Sequence, residues 1–208
     1  MKTRKAVVLI SSGIDSPVAA WMMKQKGLEL IGIHCSNAPL AEQASKVIVE
    51  KLCKKIGINK LYIVKHGSLV QQKLVEHSRQ SLICVLCKRF MYRVAEAIAK
   101  KEDCCCIVTG ENLGQVASQT LDNMVVLSDA TSLPILRPLL CNDKQETVDI
   151  AKKIGTYELG LDSPPSCTIV PKKPATKAAL SKVMQEEQKL DVADTVSEAV
   201  RTAEIIKF

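Results

Sequence analysis

A short turn rich in small hydroxyl side chains follows the first apolar run of the chain. Residues 7–10 are apolar, and residues 11–16 read Ser-Ser-Gly-Ile-Asp-Ser before Pro17. A strand that ends in such a turn, just ahead of a helix, presents several backbone N–H groups to an anion. Gly13 either takes a positive φ or lets a ligand approach the backbone. The turn therefore predicts a cradle for a pyrophosphate-bearing ligand, with hydroxyl groups from Ser11, Ser12 and Ser16.

Neither of the commoner phosphate-binding patterns fits this turn, because it has one glycine and no lysine. Residues 11–16 instead resemble the Ser-Gly-Gly-x-Asp-Ser loop of PP-loop ATP pyrophosphatases, which split ATP into AMP and pyrophosphate to activate a carbonyl. Ser12 stands where that family has its first glycine. Asp15 is expected to cap the helix and to hold Mg²⁺ in its outer shell. The alternative is an ordinary strand-to-helix turn with Ser16 as N-cap.

A second polar turn follows a later apolar run. Residues 109–121, Thr-Gly-Glu-Asn-Leu-Gly-Gln-Val-Ala-Ser-Gln-Thr-Leu, are similar to the signature of the tRNA 4-thiouridine synthetase family, which also supplies sulfur to the thiazole of thiamine in some organisms. Cys-Lys-Arg-Phe-Met-x-Arg at 87–93 and Leu-Arg-Pro-Leu at 136–139 extend the resemblance over nearly the whole chain. It implies an ATP-dependent sulfurtransferase that adenylates a tRNA uridine carbonyl and replaces its oxygen by sulfur.

The resemblance also implies which residues bind ATP and which act in catalysis. Lys88 is physically apt beside a triphosphate, because its ammonium is a compact charge. Lys88, Asp15 and Cys167 are the implied catalytic residues, and residues 11–16 take the leaving pyrophosphate. The implied contacts with the rest of ATP are Leu9, Ile10, His34, Cys35, Lys88, Gly110 and Gln119.

The nine cysteines include one pair at a metal-binding spacing. Cys84 and Cys87 lie three residues apart, but two thiols are not enough for a site. The resemblance adds Cys167, in a proline-bearing loop. It implies the archaeal type of the family, in which these three cysteines ligate an iron–sulfur cluster and one iron keeps an open position for sulfide. The alternatives are buried structural thiols, and a redox set in which Cys84 or Cys87 resolves a persulfide on Cys167.

Other thiols and histidines carry less weight. The three cysteines at 104–106 lie in an apolar run, which predicts core packing. His66 and His77 are expected to be surface or helix residues rather than ligands.

Strand-like and helical patterns alternate along the chain. Because ligands of parallel α/β sheets lie at the carboxyl ends of the strands, the alternation predicts a doubly wound parallel sheet with the turn at 11–16 on its functional edge. We expect a PP-loop domain of the adenine nucleotide alpha hydrolase type over 1–175. A C-terminal extension over 176–208, of two helices, is expected to pack on it. The strand patterns lie at 6–10, 29–34, 60–64, 104–109 and 134–136, and the helical ones at 16–26, 41–56, after 68, 88–101 and 143–154.

Charge and composition limit the partners. The net charge is +7, and basic residues concentrate at 88–101, which permits tRNA binding. Aromatic residues make up 3% of the chain, which disfavours a base-stacking platform. The chain has neither a membrane-length apolar stretch nor a signal sequence, so we expect a cytoplasmic protein without membrane contact.

The expected substrate is tRNA, but two rivals stay open. Full-length members of the family carry an RNA-binding module ahead of the PP-loop, whereas here few residues precede the first strand. We therefore expect a separate RNA-binding partner or module, or binding by the basic helix, with sulfide or a persulfide carrier as sulfur donor. The rivals are sulfur transfer or adenylation of a small molecule or carrier protein in thiamine-type biosynthesis, and a non-catalytic adenine-nucleotide module. Monomer and homodimer both remain open.

Overall fold

The computed structural model describes residues 4–37, 39–163, 167 and 169–208, with the backbone alone at 39–43. In this part of the chain, a six-stranded sheet has the order β5-β4-β1-β2-β3-β6. Strands β1 to β5 run parallel to one another, which confirms the predicted α/β class. The strands are β1 (Lys5–Leu9), β2 (Glu29–Cys35), β3 (Lys60–Val64), β4 (Cys106–Val108), β5 (Ile135–Leu136) and β6 (Glu204–Lys207).

Helices cover both faces of the sheet. Along β1, Ala6 and Val8 point into one apolar cluster and Val7 into another, as the two-residue period of a strand requires. A strand buried on both faces reads as a continuous apolar run, which is why the sequence predicts it well. The helices are α1 (Asp15–Gln25), α2 (Pro39–Ile56), α3 (Gln72–His77), α4 (Ile83–Lys101), α5 (Leu121–Ser128), α6 (Lys144–Lys153), α7 (Tyr157–Leu161), α8 (Leu180–Glu187) and α9 (Val192–Arg201).

Local signals set several helix ends. Gly27 and Gly57 follow α1 and α2 with φ of 85° and 78°, a conformation that favours glycine. At the start of α6, the Asp143 carboxylate accepts from the N–H of Glu146, whose own side chain accepts from the N–H of Asp143. The ends of α1 and α2 and the start of α6 therefore lie within one residue of the ranges expected from the sequence.

The prediction for residues 176–208 is wrong in one respect. Helices α8 and α9 are present, but the chain then forms β6, which runs antiparallel to β3. An isolated four-residue strand has little local signature, and its hydrogen bonds come from β3, which is distant in sequence.

Two further boundaries differ from the sequence interpretation. Helix α4 begins at Ile83, five residues ahead of the predicted Lys88, so Cys84 and Cys87 both lie on it. Strand β4 begins at Cys106, and Cys105 is exposed rather than packed in the core, whereas Cys104 and Cys106 are buried. Among the helices of the described ranges, none combines the length and the apolar character that a bilayer crossing needs.

Candidate active site

The turn at 11–16 closes on itself through two hydroxyl groups. The N–H of Ser11 donates to Oγ of Ser16 at 2.8 Å, and the two Oγ atoms lie 3.0 Å apart. The backbone of Gly13 lies outside the left-handed region, so the approach of a ligand is the reason left for a glycine there. The turn thus has a preformed shape that leaves room for an anion at Gly13.

The Ser12 side chain points to another loop. Its Oγ lies 2.6 Å from Oγ of Ser163, in the loop that leads to Cys167. Ser12 is buried, so its hydroxyl is used within the protein. The serine at the family's glycine position therefore links the phosphate turn to the cysteine loop, whose Pro164, Pro165 and Ser166 lie outside the described residues.

Asp15 does not cap α1, contrary to the expectation. It is the first residue of the helix, and the N-cap is Ile14, whose side chain cannot accept a hydrogen bond. The capping alternative for Ser16 is also wrong, because Ser16 lies inside the helix. Nζ of Lys144 donates instead to Oδ1 of Asp15 at 2.7 Å. The lysine neutralises a carboxylate that would otherwise repel pyrophosphate.

Gly110 packs directly against the phosphate turn. A Cβ on Gly110 would lie 2.6 Å from the backbone nitrogen of Ser16, so no larger residue fits. The following segment carries Gln119, whose Oε1 is buried and has no hydrogen-bond partner among the described residues. An unpaired buried acceptor is costly, and the hydroxyl or amino group of a nucleotide could supply the missing donor.

The ends of β1 and β2 meet beside the same turn. His34 is buried, and its Nδ1 donates to the carbonyl of Ile10 at 3.0 Å, while Nε2 lies 3.3 Å from Oγ of Ser45. His34 therefore fixes the two strand ends, next to Leu9. Burial raises the pKa of the neighbouring Cys35 thiol to about 12.

Lys88 is held by a carboxylate that the sequence interpretation left without a role. Nζ of Lys88 donates to Oε1 of Glu111 at 2.9 Å, and Arg137 and Tyr92 donate to Oε2 at 2.8 and 2.5 Å. Burial alone raises the pKa of Glu111, but the charge of Lys88 and the hydrogen bonds outweigh it and hold that pKa below its ordinary value. Glu111 thus fixes two cations one residue from Gly110.

The candidate thiols lie in one neighbourhood. Cys84 and Cys87 are one turn apart on α4. Burial raises the pKa of both thiols, and the charge of Cys167 raises it further, as does that of Cys35 for Cys87. Within the described residues, no three or more His, Cys, Asp or Glu side chains are grouped as metal ligands. The three-cysteine cluster site stays a prediction.

His66 is a helix residue, which is one of the two expected alternatives, but it does not lie on the surface. It is fully buried, two residues after β3, and its Nε2 lies 3.1 Å from Sγ of Cys87. Burial lowers the pKa of His66 to about 4. His77, by contrast, ends α3 with an exposed ring, as expected.

The basic stretch at 88–101 is largely neutralised within the protein. Arg89 is buried and donates from Nε and Nη2 to Glu187 at 2.8 and 3.0 Å. Arg93 also pairs with Glu187. The charges of these two arginines therefore face a carboxylate of α8, and RNA binding by this helix stays a prediction.

The residues missed by the sequence analysis pair across elements. Glu111 lies on the β4 turn, Arg137 follows β5 and Lys144 lies on α6. The sequence did contain one signal for Glu111. A carboxylate directly after a glycine in a turn that is expected to bind phosphate predicts a cation beside it. The identity of that cation depends on which strands are adjacent.

The donor sets of the site differ in chemistry. The N–H and hydroxyl groups at 11–16 suit phosphate oxygens. The sulfurs of Cys84, Cys87 and Cys167 are soft ligands that suit iron, whereas the carboxylate of Asp15 suits Mg²⁺. One edge of the sheet thus combines groups for a nucleotide with groups for sulfur chemistry.

Sequence comparisons give a family and close relatives. The family model described as "Thiamine biosynthesis protein (ThiI)" matches residues 2–192. A "Probable tRNA sulfurtransferase" of Methanosarcina mazei is 41% identical over 210 residues, covering 98% of this chain and 52% of that protein. One from Caldanaerobacter subterraneus subsp. tengcongensis is 43% identical over 192 residues, covering 90% and 50%. The chain spans about half the length of the curated relatives it matches.

Solved structures share the fold. "Crystal structure of a 4-thiouridine synthetase - RNA complex with bound ATP" matches with a TM-score of 0.92 and 32% identity, covering 98% of this chain and 55% of that one. The NH3-dependent NAD synthetase of Campylobacter jejuni matches with a TM-score of 0.57 and 13% identity, covering 97% and 85%, which shows the fold alone.

Proposed function

Because this chain belongs to the family described as thiamine biosynthesis protein (ThiI), we propose that it carries the ATP-dependent sulfur-transfer step of a tRNA sulfurtransferase. In this proposal it adenylates a uridine carbonyl of tRNA and replaces the oxygen by sulfur, forming 4-thiouridine. The relatives named tRNA sulfurtransferase and the ATP-bound, RNA-bound neighbour support it.

One observation carries the proposal. The phosphate turn after β1, Gly110 after β4 and the thiols at the start of α4 all belong to one edge of the sheet. The bond between Ser12 and Ser163 joins the phosphate turn to the loop of Cys167. Activation by ATP and delivery of sulfur can therefore occur at one carbonyl.

The first step is attack of the uracil carbonyl oxygen on the α-phosphorus of ATP. The bond from phosphorus to pyrophosphate breaks, and the turn at 11–16 takes the leaving group. Lys88 stabilises the charge on the phosphates, with Glu111 fixing the position of Lys88 and Arg137 holding Glu111. Asp15, which is paired with Lys144, would hold Mg²⁺ in its outer shell, where the ion would screen the same charge.

The second step brings sulfur to the activated carbon. The outer sulfur of a Cys167 persulfide attacks, the bond from carbon to the AMP oxygen breaks, and AMP leaves. A thiol of Cys84 or Cys87 then attacks Sγ of Cys167, which releases the thiocarbonyl and forms a disulfide that an external dithiol reduces. Alternatively, a cluster on the three thiols would offer an open iron position to inorganic sulfide.

The proposed partners are tRNA, bound with a separate RNA-binding partner or module, and a donor of sulfide or persulfide. The pairing of Arg89 and Arg93 with Glu187 supports an RNA-binding surface elsewhere than on α4. Sulfur transfer in thiamine biosynthesis is the second candidate, favoured by the description of the family.

The test uses Cys167→Ser with Cys141→Ser, at an exposed thiol outside the site, as matched control. Each variant is expressed in a strain that lacks the chain's own gene, and tRNA nucleosides are measured by mass spectrometry. We expect Cys167→Ser to abolish 4-thiouridine while ATP binding to the purified protein stays within about twofold, because the turn at 11–16 is intact. Cys141→Ser should restore 4-thiouridine fully.

Three outcomes would contradict the proposal in different ways. Full 4-thiouridine with Cys167→Ser would remove Cys167 from the chemistry. An unmodified tRNA with the wild-type chain, together with thiamine dependence of the deletion strain, would favour the second candidate. Absence of pyrophosphate release from ATP with tRNA, and of any effect of the deletion, would indicate a non-catalytic nucleotide-binding module.

A further inference from the structure

Two side-chain N–H groups converge on the sulfur of Cys87. Nε2 of His66 lies 3.1 Å from Sγ, and Nε2 of Gln71 lies 3.9 Å from it and also donates to Oδ1 of Asn37 at 3.0 Å. His66, Gln71 and Cys87 are all buried. The sulfur of Cys87, at the edge of an apolar cluster, therefore has two polar neighbours inside the protein.

The tautomer of His66 follows from its second nitrogen. Nδ1 is buried and has no hydrogen-bond partner among the described residues. A buried N–H without an acceptor is rarer in proteins than a buried acceptor without a donor. The proton is therefore assigned to Nε2, which makes His66 a donor to Cys87 and the sulfur an acceptor.

Cys84 has a different environment, one turn earlier on α4. It is partly exposed, and the charges that act on it come from Cys167 and from Lys88. Burial is the main cause of the raised pKa of the Cys84 thiol, and Lys88 opposes it only in part, so it is the partial exposure of Cys84 that makes its sulfur accessible for exchange. The two cysteines of the pair thus differ, one being held by donors and the other lying beside a cation.

We propose that His66 is a positioning residue that anchors the Cys87 sulfur, so that Cys84 is the thiol that exchanges with Cys167. This assignment rests on the proposed persulfide chemistry and selects its resolving residue. The Cys84 thiolate attacks Sγ of Cys167 in the adduct with the base, the sulfur–sulfur bond breaks, and the thiocarbonyl leaves. The resulting Cys84–Cys167 disulfide holds two electrons fewer than the two free thiols. An external dithiol reduces it and returns them.

Disulfide trapping in the metal-free, reduced chain tests the assignment without tRNA or ATP. The protein is oxidised with diamide, alkylated and digested with trypsin, which leaves Cys84 and Cys87 on one peptide at 80–88. Tandem mass spectrometry then gives the ratio of Cys84–Cys167 to Cys87–Cys167 disulfide. We expect Cys84–Cys167 to predominate, because His66 and Gln71 hold the other sulfur.

Two amide variants of His66 differ only in how far the amide nitrogen extends toward Sγ of Cys87. In His66→Gln the amide nitrogen takes the place of Nε2, whereas in His66→Asn it takes that of Nδ1 and no longer meets the sulfur. We expect His66→Asn to lower the ratio by roughly threefold to tenfold, as the loss of one hydrogen bond between neutral groups would, and His66→Gln to restore it. His77→Asn, at an exposed histidine, is the matched control and should leave the ratio unchanged.

The proposal is overturned if Cys87–Cys167 predominates in the wild-type chain, or if His66→Asn and His66→Gln give the same ratio. If His66→Asn does not fold, Gln71→Met removes the second donor at similar volume. It should lower the ratio in the same direction, and an unchanged ratio would again reject the anchor. A failure here with intact 4-thiouridine formation leaves the proposed function standing, so the two are distinguishable.

Discussion

At the scale of single residues, the proposed nucleotide site is organised around Glu111. Its buried carboxylate accepts hydrogen bonds from Lys88, Arg137 and Tyr92. Two cations next to each other would repel without it. Its position directly after Gly110 couples this counter-ion to the phosphate turn.

Replacement of Glu111 should therefore cost stability. We expect Glu111→Gln to lower the free energy of unfolding by about 2–3 kcal/mol, less than for a fully buried pair because Lys88 is 25% exposed. Urea unfolding at pH 7 measures it. Glu198→Gln, which breaks an exposed pair with Arg201, is the control and should cost about 0–0.5 kcal/mol. Equal losses would mean that Glu111 is not a structural counter-ion.

At the scale of elements, β6 completes the sheet beside β3. Ile206 packs against the apolar cluster under α1 and α2, whereas Ile205 is exposed on the other face. Lys46 on α2 also pairs with Glu204 at 2.7 Å. This edge strand thus has one apolar contact and one ion pair to hold it in place.

The two isoleucines of β6 provide a matched test. Threonine keeps the β-branched shape that suits a strand but adds a hydroxyl. We expect Ile206→Thr to lower the free energy of unfolding by about 1–2 kcal/mol, because apolar burial is lost, and Ile205→Thr by less than about 0.5 kcal/mol. Chemical denaturation compares them. Equally small losses of stability in the two variants would mean that β6 does not unfold cooperatively with the rest of the sheet.

At the scale of the whole molecule, Glu187 joins the C-terminal helices to the centre of the fold. It lies at the end of α8 and pairs with Arg89 and Arg93 of α4. Burial raises the pKa of Glu187, but the two arginines outweigh burial and hold that pKa below its ordinary value of 4.5. A carboxyl with a depressed pKa stabilises the folded state at neutral pH.

This linkage predicts acid sensitivity. The contribution of Glu187 is complete above the pKa of the unfolded chain, near 4.5, and is lost as the pH falls through the lower pKa of the folded state. We expect the wild-type chain to be less stable below about pH 4 than at pH 7. We expect Glu187→Gln to be less stable than the wild type at pH 7 and to lose less further stability in acid. Denaturant midpoints across this range measure it, and an unchanged pH slope in the variant would contradict the linkage.

Much of the fold could be predicted because its signals are local. The apolar run of β1 predicts a strand buried on both faces. Gly27 and Gly57 mark helix ends, because glycine readily takes the positive φ that both residues have. The turn at 11–16 predicts a phosphate cradle, and its residues do form a closed turn at the start of α1. These features need only neighbouring residues, so the sequence alone carries them.

Other features could not be predicted because they join distant parts of the chain. Arg89 and Glu187 are 98 positions apart, Lys88 and Glu111 are 23 apart, and His66 reaches Cys87 over 21. The sequence by itself determined most of the strands and helices, the turn at 11–16 and the family resemblance, through periodicity and local motifs. Only the tertiary structure decided which charges are neutralised, which thiol is enclosed and where β6 pairs, because burial and long-range hydrogen bonding depend on the packed arrangement of the elements.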